Sequence, residues 1–304
     1  MIHWADLNEV SASLGIRLLF LVYRIFGRLP VLLILYPVIF WFLIFNRVAR
    51  SSSYDYLERL YQFSGGTTPK PTWLNVYRHI YAFGECILDK LIIWSGNIGD
   101  LDYSLDQIEQ FNELANEGKG AIIVVSHLGN LDFCRAIAKF HPNIDLTVLV
   151  HTTHAVKFNK LLKSINPDSA LNIIQVSKFS MQDAMLLSEK IQKGGLIAIA
   201  GDRVPLMWGN TIPLSFLGSK ADFPLGAYLL GKTLGCQLLS LMAIKVNGRY
   251  EVSSKKIADF SDPGKKDSMD LAAKTFADTL KDGCIRSPFQ WFNFYPFWHG
   301  AEHD

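Results

Sequence analysis

Short uninterrupted apolar runs, each closed by polar residues, punctuate the chain from residue 121 onward: AIIVV (121–125), DLTVLV (145–150), LNIIQV (171–176), LIAIA (196–200) and LLSLMAIKV (238–246). Runs of this length without alternation suit parallel strands buried on both faces. Between them, helical spacing of apolar residues predicts helices near 131–140, 155–165, 180–193 and 224–234. Alternating strands and helices imply a mainly parallel central sheet with helices on both faces. Upstream, SSSYDYLERLYQF (51–63) and WLNVYRHIYAFGECILDKLIIW (73–94) read as helices around a Gly/Pro/Thr loop at 64–72. Ser104 is placed to cap a further helix carrying Leu105, Ile108, Phe111 and Leu114 on one face.

The first fifth has a different pattern. Leu14 to Phe45 is almost continuously apolar, and its uncharged part, Leu29 to Phe45, falls short of the roughly 20 residues that cross a bilayer. Arg17, Arg24 and Arg28 follow spacings of seven and four, a narrow arc of one helical face. Pro30 and Pro37 are expected to break or kink a single rod, Tyr23, Tyr36 and Trp41 suit an interface, and Arg47 and Arg50 place charge on the far flank. The segment reads as a helical hairpin lying in the headgroup layer, with a spanning helix and a soluble core pair as alternatives. The acidic extreme N-terminus and the length of the apolar run argue against a cleaved signal peptide. The expected organisation is a membrane-associating helical anchor over 1–50 and an α/β domain over 51–304.

Composition narrows the field. A chain of 304 residues, 49% hydrophobic and 19% charged, buries a large core. The net charge of +2 and the lack of a basic stripe interleaved with aromatics exclude nucleic acid as an expected partner. Cys86, Cys134, Cys236 and Cys284 are far apart, which fits neither a zinc knuckle nor a disulfide framework, and suits a reducing compartment. His151 and His154 lack a third ligand nearby, so no metal and no cofactor is expected.

In an open α/β sheet, chemistry collects beyond the carboxyl ends of strands. Two polar clusters lie there: SHLGNLD (126–132) after the first apolar run, and GDR (201–203) after LIAIA. His127 and Asp132 stand five apart, about 140° around an ideal helix, so they meet only if the chain turns between them, and Gly129 and Asn130 permit that. A carboxylate on one imidazole nitrogen fixes the tautomer and leaves the other nitrogen as a base. A capping histidine and an ordinary first-turn acid would give the same pattern.

HLGNLD, the later GDR and the ending SPFQWFNFYPFWHG (287–300) together resemble the bacterial lipid A late acyltransferase family, within the lysophospholipid acyltransferase superfamily. The likeness runs roughly from Met1 to Gly300. The head HWADLNEVSASLGIRLLFLVYRIFGR and FQWFNF look like a branch of predicted acyltransferases distinct from the dedicated lipid A enzymes. The resemblance implies transfer of an acyl group from an acyl thioester to a hydroxyl or amine of a membrane lipid or glycolipid, at the cytoplasmic face of a bacterial inner membrane. It implies His127 as general base and Asp132 as its orienting partner. Acyl carrier protein is the implied donor partner, with coenzyme A the alternative. Asn130, Asp202 and Arg203 are expected on substrate, with Lys157 and Asn159 lining the acceptor side. AGDRVP stands where glycerolipid enzymes carry a proline-glutamate-glycine element, which argues against a glycerol-phosphate acceptor. A thioesterase using the same histidine on water and a non-catalytic membrane adaptor are the competing readings.

Overall fold

The computed structural model describes residues 12–133, 136, 145–150, 172–175, 181–204, 210–262 and 267–298. Helix α1 (Ala12–Phe26) and helix α2 (Arg28–Phe45) lead into α3 (Arg47–Phe63) and α4 (Trp73–Trp94). A strand, β1 (Tyr103–Gln107), and α5 (Glu109–Asn116) precede β2 (Ala121–Val125), β3 (Leu146–Val150) and β4 (Asn172–Gln175). Then come α6 (Met181–Gln192), β5 (Leu196–Ala200), a hairpin of β6 (Thr211–Phe216) and β7 (Ser219–Pro224), α7 (Gly226–Leu234), β8 (Gln237–Val246), β9 (Arg249–Asp259) and α8 (Met269–Arg286).

The main sheet runs β1-β9-β8-β2-β5-β3-β4, with β8 and β9 antiparallel and every other neighbouring pair parallel. Each strand anticipated from an apolar run is present. The helix expected from Ser104 is not: residues 103–107 pair with β9, and the helix begins at Glu109. Ser104 Oγ bonds Asp106 instead of capping. The expected helices at 155–165 and over most of 131–140 lie outside the described residues.

Successive residues of β2 enter opposite cores. Ile122 and Val124 pack with residues of α3, α7 and α8, whereas Ala121 and Ile123 pack with α5 and the second half of α4. Helix α4 reaches both cores, through Val76 and Ile80 on one side and Leu88 to Trp94 on the other.

Helix α2 differs from the expectation at three points. The rod breaks at Gly27 (φ 79°), and α2 then continues through Pro37; Pro30 sits in the first turn, where its missing N–H leaves no bond unmade. Arg28 therefore stands beyond the break, outside the helix that carries Arg24. It pairs with Glu85 at 2.7 Å and Asp89 at 2.9 Å on α4. Arg50 turns back, donating to the Leu43 and Ile44 carbonyls at the end of α2. Val31, Leu35, Ile39 and Leu43 form the buried stripe, while Leu29, Leu33, Trp41 and Phe45 are exposed. The helix lies antiparallel along α4: Tyr81 Oη donates to the Leu32 carbonyl, Tyr77 Oη to that of Tyr36, and Phe40 meets Trp73 edge to face.

Candidate active site

Strands β2 and β5 are parallel neighbours with Val125 opposite Ala200, and the Gly201 amide continues the ladder to the Val125 carbonyl at 2.8 Å. Two residues further along each chain stand His127 and Asp202, so adjacent strands deliver them at equal depth. Their contact is direct. His127 Nδ1 lies 2.8 Å from Asp202 Oδ1, and the His127 amide donates to Oδ2 at 2.8 Å. A carboxylate can only accept here, so Nδ1 carries the hydrogen and Nε2 holds a free lone pair. Nε2 makes no hydrogen bond among the described residues, and the His127 side chain is 25% exposed.

Gly201 is needed for this approach. A Cβ there would stand 2.5 Å from Val124 Cγ1 and 2.9 Å from the Phe276 ring.

Burial and the nearby Arg203 and Lys90 charges lower the His127 pKa below the ordinary histidine value, with Asp202 pulling the other way. The ring is thus neutral at pH 7 and able to accept a proton. Burial pushes Asp202 toward protonation, but His127 and Arg203 outweigh it and hold the carboxyl below its usual range.

The C-terminal segment completes the cage. Trp291 Nε1 donates to Asp202 Oδ2 at 3.0 Å, and Asn293 Nδ2 reaches the same oxygen at 3.5 Å. Backbone bonds stitch the segment to the motif: Gly129 donates to the Gln290 carbonyl, and Phe292 donates to that of His127. Arg203 Nε bonds Asn293 Oδ1 and an Nη bonds the Phe292 carbonyl.

This geometry corrects the expected pairing of His127 with Asp132. The turn is present, at Gly129 (φ 70°), where a Cβ would stand 2.0 Å from the Ala243 carbonyl oxygen. It directs residue 132 toward α4, where Asp132 accepts from Trp94 Nε1 at 2.6 Å and faces Lys90 Nζ at 3.6 Å. Asp202 already occupies the Nδ1 side of the imidazole. Asp202 thus stands where Asp132 was expected, and Asp132 faces α4 instead. Asp202 is fully buried and cannot contact a head group, contrary to its expected place on substrate. Asn130 is also fully buried, and its Oδ1 accepts from the Asp132 amide, which makes it a turn former rather than a substrate contact. Arg203 spends two nitrogens on the tail. Lys157 and Asn159 lie outside the described residues.

Lys90, Trp94 and Asn293 escaped the sequence reading, and Trp291 entered it only as one of the tail aromatics, not as a partner of Asp202. For the tail a signal existed, in an indole-rich segment whose N–H groups need acceptors when buried. For Lys90 and Trp94 none did, because their helix shows only an ordinary apolar rhythm.

Residues 82–299, well over half of the chain, match the model of the bacterial lipid A biosynthesis acyltransferase family. The chain belongs to that family. The match begins inside α4 and takes in the sheet, His127, Asp132, Asp202 and the tail. Membership carries acyl transfer to lipid as the family's activity. No curated protein matches the chain.

Proposed function

We propose that the protein moves a fatty acyl group from an acyl thioester to a hydroxyl or amine of a membrane lipid or glycolipid, with His127 as general base and Asp202 as the residue that orients it. The observation carrying this reading is the His127–Asp202 contact, which leaves a neutral, partly exposed Nε2 unpartnered at the ends of two parallel strands. The acceptor group gives its proton to Nε2 while attacking the thioester carbonyl, and the same proton leaves with the thiol, so no acyl-enzyme is needed. Acyl carrier protein, or alternatively coenzyme A, presents the donor. No metal or cofactor takes part.

The proposed workplace is the cytoplasmic face of a bacterial inner membrane, with α1 and α2 in the interface. By length and composition α2 could cross a bilayer, having a mean hydropathy of 2.2 and 22% of its window buried. Its 18 residues measure about 27 Å, slightly under the hydrocarbon thickness. A crossing α2 would also draw Arg78 and the Glu85–Asp89 cluster of the attached α4 toward hydrocarbon. An in-plane helix presenting Leu29, Leu33, Trp41 and Phe45, with Trp73 and Leu74 beside it, avoids that cost.

Following labelled acyl groups from acyl carrier protein into extracted membrane lipid, with His127→Ala as the comparison, tests the reading. Loss of transfer with an unchanged melting curve supports it. Loss of free fatty acid release instead indicates a thioesterase, and no change indicates an adaptor. For the membrane, flotation with vesicles containing anionic lipid should fall when Leu33 and Trp41 are replaced by serine; unchanged flotation would remove the in-plane assignment.

A further inference from the structure

Acyl transfer places a negative charge on the thioester oxygen, and the source of its stabilisation is a separate question from the identity of the base. Backbone N–H groups of the motif are the first donors to examine, and those of residues 127–130, 132 and 133 are already engaged. The amide of His127 bonds Asp202, that of Leu128 bonds Ser126 Oγ, that of Gly129 bonds the Gln290 carbonyl, and that of Asn130 bonds the Ala243 carbonyl. Asp132 donates its amide to Asn130 Oδ1, and Phe133 donates to the Asn130 carbonyl. Arg203 is tied to Asn293 and the Phe292 carbonyl.

Lys90 differs from all of these. Its ammonium faces Asp132 Oδ2 at 3.6 Å, beyond a good hydrogen bond, while Trp94 Nε1 donates to Oδ1 of the same carboxylate at 2.6 Å. Lys90 and Trp94 lie one turn apart on α4, so a single helix face fixes Asp132 and the ammonium together. The Lys90 side chain is 24% exposed, and an ammonium carries three N–H bonds, more than the Asp132 carboxylate at 3.6 Å takes up.

We propose that Lys90 is a catalytic residue that binds the oxyanion of the tetrahedral intermediate, and that Asp132 is the positioning residue that holds its ammonium beside the base. This rests on the acyl-transfer reading. As the acceptor oxygen or nitrogen bonds the carbonyl carbon, its proton passes to His127 Nε2 and the carbonyl electron pair moves onto oxygen, against Lys90. The pair then returns, the C–S bond breaks, and the proton on Nε2 goes to the departing sulfur. Burial alone would favour neutral Lys90, but Asp132 outweighs it and raises the lysine above its ordinary value, so the charge is present throughout. The same charge helps keep His127 unprotonated.

The test uses the full chain in lipid-detergent micelles, with acyl carrier protein thioester as donor and extracted membrane lipid as acceptor. Lys90→Met should lower kcat about 100- to 1000-fold with little change in KM. It should also move the acidic limb of the kcat/KM profile upward, because a cation that depresses His127 is gone. Lys90→Cys should be equally slow, recover on aminoethylation to the lysine-like thioether, and stay slow after carboxamidomethylation, which keeps the proposal testable if the methionine variant misfolds. Rates within threefold of the wild type, an unmoved acidic limb, or no recovery on aminoethylation would overturn it. His127→Ala separates the two readings: if it retains transfer, acyl transfer by this base falls, and if it alone abolishes transfer, only the Lys90 proposal falls.

Discussion

Asp202 and Asp89 are both fully buried carboxylates, yet their surroundings drive them in opposite directions. Asp89, on α4, lies beside Arg28 of α2, Lys245 of β8 and the Tyr250 hydroxyl of β9, with Glu85 sharing the same two cations. Burial dominates there and raises its pKa, the cations and hydroxyl opposing it only in part. Asp202 has one directly bonded imidazole and neutral N–H donors from the backbone and an indole, and its pKa is lowered. A carboxylate whose imidazole and guanidinium neighbours serve no second acid among the described residues is therefore held charged more firmly than one of two acids dividing two cations between them. The first arrangement positions a base. The second fastens the N-terminal helix pair to α4 and the sheet.

Exchanging each carboxylate for its amide breaks the comparison most directly. Asp202→Asn should reduce kcat about a thousand- to ten-thousand-fold, since the imidazole loses the acceptor that fixes its tautomer. Asp89→Asn should leave transfer within about threefold, under 1 kcal/mol of barrier, and show its effect in the melting temperature. Equal kinetic losses would erase the distinction.

A third buried group sharpens it. His79 is enclosed, its Nδ1 accepting from Ser53 Oγ at 2.8 Å and its Nε2 donating to the Trp291 carbonyl at 2.9 Å. Burial lowers its pKa to about 4. The unfolded chain takes up this proton near pH 6.5 and the folded chain does not, so stability present above pH 6.5 is lost as pH falls toward 4. The loss amounts to about 3 kcal/mol and should appear as a slope in denaturant midpoints against pH. The slope should shrink in His79→Gln. Asp202 acts in the same sense at lower pH, below the ordinary carboxylate value and through its own lowered one, whereas Asp89 opposes it.

Smaller again is Trp291→Phe, which removes one donor from Asp202 and keeps the ring. It should cost about 1.5–3 kcal/mol of stability, the worth of a hydrogen bond to a charged group. Transfer should slow about tenfold, readable in the same assay. Wild-type kinetics and stability would show that the two His127 donors suffice.

Much of the scaffold was legible because burial writes itself into apolar runs. The runs later found as β2, β3, β5 and β8 were visible, since central strands need both faces apolar, and β4 carries the same pattern at the far edge. β1 was hidden at the sheet edge, where YSLDQ mimics a capped helix start. The site was half legible. His127 and Asp202 each announced themselves as polar residues ending apolar strands, but pairing them required knowing that β2 and β5 are neighbours, and strand order is not local information. Proximity in sequence favoured Asp132 instead. Lys90 lies 37 residues before His127 in numbering and meets Asp132 only because α4 runs beside the turn at 129–132, a tertiary fact with no local trace.

The equal reach of β2 and β5 past Val125 and Ala200 makes the centre intolerant of changes in chain length. Deleting or inserting one residue within either strand would move its tip by about 3.3 Å and turn its outgoing side chain to the opposite side of the pleat. Indels are thus barred from these two segments, while the exposed turn at Asn247–Gly248 between β8 and β9 has room to lengthen.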